Sequence, residues 1–137
     1  MSPRREVAQV TTGEKLPPVD HPIHRIDLVR YAGASGDFNP IHWDEQWATS
    51  VGLPGVIAHG MFSMAIAARM LSAYAGDPAA LKRVRVRFSD MIRPGQTLIV
   101  TGEVTGVDGK QVSVRFWGED EAGNRVLSKG EAELELA

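Results

Sequence analysis

Residues 36–42 read Gly-Asp-Phe-Asn-Pro-Ile-His, and His59-Gly60-Met61 begins 17 positions after His42. The first stretch fixes a carboxylate, Asp37, and an imidazole, His42, on one short loop. The second presents backbone N–H groups at the start of a helix. These are parts for adding or removing water beside a carbonyl: groups that move a proton and orient water, and a donor for developing negative charge.

Taken singly, each residue has a plainer use. Asp37 could bond its own backbone in a turn, and an isolated histidine is more often structural than catalytic. Their joint occurrence with Asn39-Pro40 and His59-Gly60 reverses that balance in favour of catalysis by Asp37 and His42. Asn39 and Pro40 shape the loop, because Asn tolerates unusual backbone angles and Pro fixes φ. His59 sits at the mouth of the helix, where it either lines a pocket or serves packing and capping. Ser35 and Ser63 have no adjacent base that would make either a nucleophile. The four histidines, His21, His24, His42 and His59, match no closed zinc spacing, so neither a metal nor another cofactor is expected. Lys82, Arg83, Arg85, Arg87 and Arg93 form a basic stretch that suits either a solvated strand face or an anionic carrier.

The elements that must position these residues are legible in the hydrophobic pattern. Asp27 reads as an N-cap, with Leu28, Tyr31 and Ala32 at helical spacing before Gly33 and Gly36. Asp44 reads as the cap of a second short helix through about Val51, closed by Gly52-Leu-Pro54-Gly55. From His59 to about Ala75 the only charged side chain is Arg69, and apolar residues occupy every face, so this helix is expected to be enclosed by other elements. Gly13 to Pro18 reads as a turn entering a short peripheral strand.

The remainder alternates with period 2. Val84, Val86 and Phe88 are interleaved with Arg83, Arg85 and Arg87. Leu98, Val100 and Val104 follow, then Val112, Val114 and Phe116, and finally Val126, Ala132, Leu134 and Leu136. Asp108-Gly109, Pro94-Gly95 and Glu121-Ala-Gly123-Asn124 supply the turns. A long apolar helix followed by such strands predicts an α+β fold of hot-dog type, an antiparallel sheet wrapped around a central helix over residues 1–137 as a single domain.

Bulk properties bound the partners. With 15 Lys plus Arg against 17 Asp plus Glu, the formal net charge of −2 gives no global reason to bind nucleic acid or an anionic membrane. The absence of cysteine excludes disulfides, thiolate metal sites and a cysteine nucleophile. Pro3-Arg4-Arg5-Glu6 is followed by polar sequence rather than an apolar signal core, which leads to the expectation of a cytoplasmic protein.

Tyr31-Ala-Gly-Ala-Ser35-Gly36-Asp37-Phe38-Asn39-Pro40-Ile41-His42-Trp43-Asp44, with Ile57-Ala58-His59-Gly60-Met61, resembles the hydratase 2 signature of the MaoC-like dehydratases. That family includes the (R)-specific enoyl-CoA hydratases and the mycobacterial (3R)-hydroxyacyl-ACP dehydratases, whose catalytic subunit the chain resembles most. The resemblance implies a hydro-lyase that adds water to trans-2-enoyl thioesters, or removes it from (3R)-hydroxyacyl thioesters, on CoA or an acyl carrier protein. It implies Asp37 and His42 as the pair that holds the water, and the Gly60 backbone N–H as donor to the thioester oxygen. His59, Met61 and Phe62 are then expected at the substrate, with Trp43 and Trp47 as further candidates for the acyl tunnel. It also implies a homodimer, or a heterodimer with a motif-lacking hot-dog subunit. A hot-dog thioesterase and a non-catalytic thioester-binding or partner subunit are the alternatives.

Overall fold

The computed structural model describes residues 3–137. Five strands form one antiparallel sheet: β1 (Lys15–Pro22), β2 (Leu81–Phe88), β3 (Thr97–Asp108), β4 (Gln111–Glu119) and β5 (Arg125–Glu135). Their order across the sheet is β1-β3-β4-β5-β2, which leaves β1 and β2 at the edges. The expected peripheral strand is β1, and its Pro17 and Pro18 fall at a shift of register between Leu16 and Val19. Proline lacks a donor N–H, so an irregular edge strand is where two in a row are tolerated. The Asp108-Gly109 turn joins β3 to β4, with Asp108 opposite Gln111 and Gly109 at φ +60°.

The period-2 pattern sorts the sheet into two faces. Leu98, Val100, Val104, Val112, Val114, Phe116, Ala132 and Leu134 are buried, and they join Ile66, Ala67, Met70, Leu71 and Ala75 of helix α3 (Gly60–Ala75) in one core. On the opposite face a row of charges crosses all five strands, Lys15 beside Glu103, Glu103 beside Arg115, Arg115 beside Glu131, and Glu131 beside Arg85. Lys15 and Arg115 both approach Glu103, at 3.0 and 3.6 Å. Cross-strand pairs of opposite sign favour this register.

Three sequence expectations change. Asp27 is not the N-cap of α1 (Arg25–Ser35): His24 is, and Asp27 stands three residues on, where its carboxylate accepts from the His24 N–H at 3.2 Å. The helix also runs through Gly33 and ends only where Gly36 turns left-handed at φ +77°. Helix α3 is not enclosed on every side. Met61, Ala65, Arg69 and Ala73 remain exposed along one stripe, while the residues facing the sheet are buried. The sheet covers one flank of a helix, and apolar composition alone does not say what covers the other. No helix is long and apolar enough to cross a membrane among the described residues.

Candidate active site

The loop between α1 and α2 (Glu45–Ser50) is folded by its own side chains. Gly36 ends α1, Ser35 Oγ accepts from the Asp37 N–H at 3.1 Å, and Asp37 Oδ1 accepts from the Asn39 N–H at 3.2 Å. Asn39 Oδ1 in turn accepts from Ile41 N–H and caps a single 3₁₀ turn, Pro40–His42. Short polar side chains that bond two residues ahead make this loop compact without a regular element. Asp44 caps α2 as expected, accepting from the Trp47 N–H at 3.1 Å.

A second segment, residues 52–59, is clamped against this loop. Ile57 N–H donates to the Ile41 carbonyl at 3.0 Å, and Ala58 N–H donates to the Ile92 carbonyl at 2.8 Å. Glu45 accepts from Arg25 at 2.9 Å and from the Val56 N–H at 3.3 Å, and Arg25 holds its carboxyl below the usual carboxylate range. Arg93 donates to the Pro54 carbonyl at 3.0 Å, so it belongs to this scaffold and not to the basic surface formed by Arg83, Arg85 and Arg87.

These two segments bring Asp37, His42 and His59 together, with one nitrogen or oxygen from each lying within 4.8 Å of the others. His42 Nδ1 is 2.7 Å from the Ile57 carbonyl. A carbonyl can only accept, so Nδ1 carries the proton and Nε2 is left with its lone pair. That Nε2 lies 3.7 Å from Asp37 Oδ2. A water placed about 2.8 Å from both would bond to both. The His42 side chain is 8% exposed and that of Asp37 is 50% exposed, so a buried imidazole faces a carboxylate that solvent can reach.

His59 lies beneath this pair at 1% exposure. Its Nε2–H donates to the Asp37 carbonyl at 3.2 Å, and its ring stacks on that of His42 with centroids 3.7 Å apart and planes inclined by 20°. Tyr31 meets the His59 ring edge-on at 4.8 Å. As ligands of one ion, these histidines would need in-plane lone pairs that converge. Stacked rings aim them side by side in parallel planes and not at one point, so these three groups, though within reach of one another, are poorly arranged to share an ion.

Gly60 follows His59 directly and opens α3, whose first turn carries no side-chain cap. The first N–H groups of a helix have no partner within it, and the dipole there favours negative charge. The Gly60 amide is therefore a donor one residue from the stack. Of the other expected substrate contacts, Met61 is 54% exposed at this helix start, while Phe62 is half-buried against Tyr31 and His21. Trp43 and Trp47 are both about half exposed, and the Trp43 indole N–H donates to the Phe38 carbonyl. Sequence reasoning missed the Ile57 carbonyl and Phe88, whose ring lies against Gly60. A main-chain carbonyl has no residue-type signal, and Phe88 read only as a strand position.

A model of the MaoC like domain matches residues 7–123. A fatty acid synthase beta subunit of Emericella nidulans is 38% identical over 124 residues, 88% of this chain, although the match spans only 6% of that protein's length. Among solved structures, a MaoC-like dehydratase superposes with TM-score 0.92 at 34% identity, over 98% of this chain and 43% of that one. The (R)-hydratase PhaJ1 of Pseudomonas aeruginosa superposes with TM-score 0.88 at 29% identity, over 96% of this chain and 84% of that one. The ChsH1–ChsH2 complex of Mycobacterium tuberculosis shares the fold at 23% identity, with TM-score 0.85 over 94% of this chain and 100% of that one. A match of this extent, on a sheet and helix that superpose with hydratase and dehydratase structures, places the protein, with its hot-dog fold, in the MaoC-like dehydratase family.

Proposed function

We propose that the protein hydrates trans-2-enoyl thioesters to (3R)-hydroxyacyl thioesters, or runs the same reaction in reverse, on a CoA or acyl carrier protein thioester. The observation that carries this reading is the 3.7 Å separation of His42 Nε2 and Asp37 Oδ2, close enough that one water set to the side of the pair bonds to both. In the forward direction His42 Nε2 takes a proton from that water as its oxygen bonds to C3. The π electrons of the double bond shift through C2 onto the thioester oxygen, where the Gly60 N–H meets the charge. His42 then returns the proton to C2, so one water has been added and the enzyme is unchanged. Asp37 orients the water and balances the imidazolium that forms in between. His59, Met61 and Phe62, flanking the Gly60 amide, stand closest to the thioester or support what does.

The acting unit in this reading is a dimer. β2 is an unpaired edge, and Phe38, Trp43, Met61, Phe88 and Met91 are exposed on segments that carry the site. Edges of this kind are relieved by pairing with another sheet, and exposed apolar groups by a partner surface. A second copy of the chain satisfies both, and a motif-lacking hot-dog subunit is the alternative partner.

The test is purified protein with crotonyl-CoA and longer enoyl-CoAs, followed by loss of enoyl absorbance together with a thiol reagent. Hydration consumes the enoyl band and releases no thiol, with the 3-hydroxy product in the R configuration. Thiol release would identify a thioesterase, and stoichiometric binding without turnover would identify a binding subunit.

A further inference from the structure

Three contacts single out His59. Its ring lies flat under His42, its Nε2–H holds the Asp37 carbonyl, and its Nδ1 is buried without a hydrogen-bond partner among the described residues. A leucine or methionine would fill this space without leaving a polar atom unsatisfied, and an unpartnered buried nitrogen costs the fold stability. Packing alone therefore does not account for a histidine at the head of α3.

We propose that His59 is a positioning residue for the hydration step: its ring is the platform on which His42 lies, and its Nε2–H fixes the backbone that carries Asp37. This deepens the reading above and rests on it. The Ile57 carbonyl anchors His42 at one atom only, and the ring could swing about that bond; the stacked His59 ring, backed by Tyr31, removes that freedom. The bond to the Asp37 carbonyl ties the loop to the same ring, so base and carboxylate share one support. His59 must also remain uncharged, because a proton at Nδ1 would find no acceptor. Burial favours the neutral ring, as does His42 alongside it, against the opposing pull of the Asp37 carbonyl and carboxylate. When His42 takes the proton from water, the stack then holds one positive charge and not two.

The experiment compares wild type with His59→Ala, His59→Phe and His59→Gln. Phenylalanine keeps the platform and loses the donor, and glutamine keeps a donor and loses the platform. Turnover with crotonyl-CoA is expected to fall by about 10- to 100-fold in His59→Ala with KM held within about threefold, and to recover in part in each of the others. A raised KM with unchanged kcat would make His59 a substrate contact and overturn the proposal, as would wild-type constants in all folded variants. Nitrogen-15 NMR of the wild-type histidines covers the case in which the variants do not fold. A neutral His59 protonated at Nε2 across neutral pH supports the proposal, and a charged ring or the Nδ1–H form overturns it. Absence of hydration by wild type with every enoyl-CoA would instead remove the reading on which the proposal rests.

Discussion

The Phe88 ring occupies the place where a side chain on Gly60 would stand: a Cβ there would lie 2.8 Å from Phe88 Cδ2. Gly60 has ordinary helical backbone, so glycine is required here by contact and not by conformation. Gly60→Ala is expected to displace either the Phe88 ring or the first turn of α3, and with it the amide assigned to the thioester oxygen. A displacement of about 1 Å at such a donor can lower turnover by about 100-fold. Phe88→Ala in the same chain makes room for the new methyl group, so the double variant should recover part of the loss. Steady-state kinetics of the two single variants and the double variant check this coupling, and strictly additive losses would contradict it.

The outline of the fold was legible because its signals are local. Val84, Val86 and Phe88 alternate with arginines, Asp108-Gly109 is a strong turn pair, and Asp44 reads directly as a cap. The polar loop was legible for the same reason, since Ser35, Asp37 and Asn39 each bond within two residues. What stayed hidden depends on chain brought from far away. The burial of His59 under His42 joins residues 17 positions apart. The exposed stripe of α3 depends on how far the sheet reaches around it. The role of Arg93, which looked like one more cation of a basic strand, depends on a carbonyl 39 residues away.

Asp37→Asn and His42→Ala should part company in stability while sharing a loss of activity. The Asp37 side chain is half-exposed, and its bond to the Asn39 N–H can be kept by the amide oxygen of asparagine. That variant should melt near the wild-type temperature. His42 is buried, and its removal strands the Ile57 carbonyl and leaves a gap beside His59, at a cost of about 1–3 kcal/mol. Both should lose about 10²- to 10⁴-fold in crotonyl-CoA hydration, the range ascribed to positioned acid–base groups. Calorimetry alongside initial rates separates the two effects, and full turnover in both folded variants would contradict the assignment.

Acid should destabilise the protein through His59. Burial lowers its pKa from the ordinary 6.5, so in the interval between those values the unfolded chain binds a proton that the folded chain does not. The stability this group contributes is complete above about pH 6.5 and is lost as pH falls through the lowered folded value. The groups facing the ring are Asp37, His42 and Tyr31, and only His42 could add a second cation. Urea midpoints taken from pH 7.5 down to 5 should therefore fall more steeply for wild type than for His59→Gln. Parallel slopes would show that His59 keeps its unfolded-state affinity for protons.

Two glycines in the sheet should respond in opposite directions to the same methyl group. Gly130 in β5 faces Phe116 of β4, and a Cβ on it would press into the Phe116 carbonyl oxygen and stand 2.8 Å from the ring. Neither backbone oxygen nor buried ring can withdraw, because Phe116 is 1% exposed and its strand is paired on both sides. Gly130→Ala should cost about 1–3 kcal/mol, the usual penalty for overpacking. Gly106 in β3 has open space where its Cβ would lie and no left-handed backbone to preserve. Alanine there reduces the freedom of the unfolded chain without a clash, which should add about 0.5–1 kcal/mol. The nearest atoms to a Cβ at either position include none of Asp37, His42 or Gly60, so denaturant midpoints should move apart while kcat of the folded proteins stays at the wild-type value.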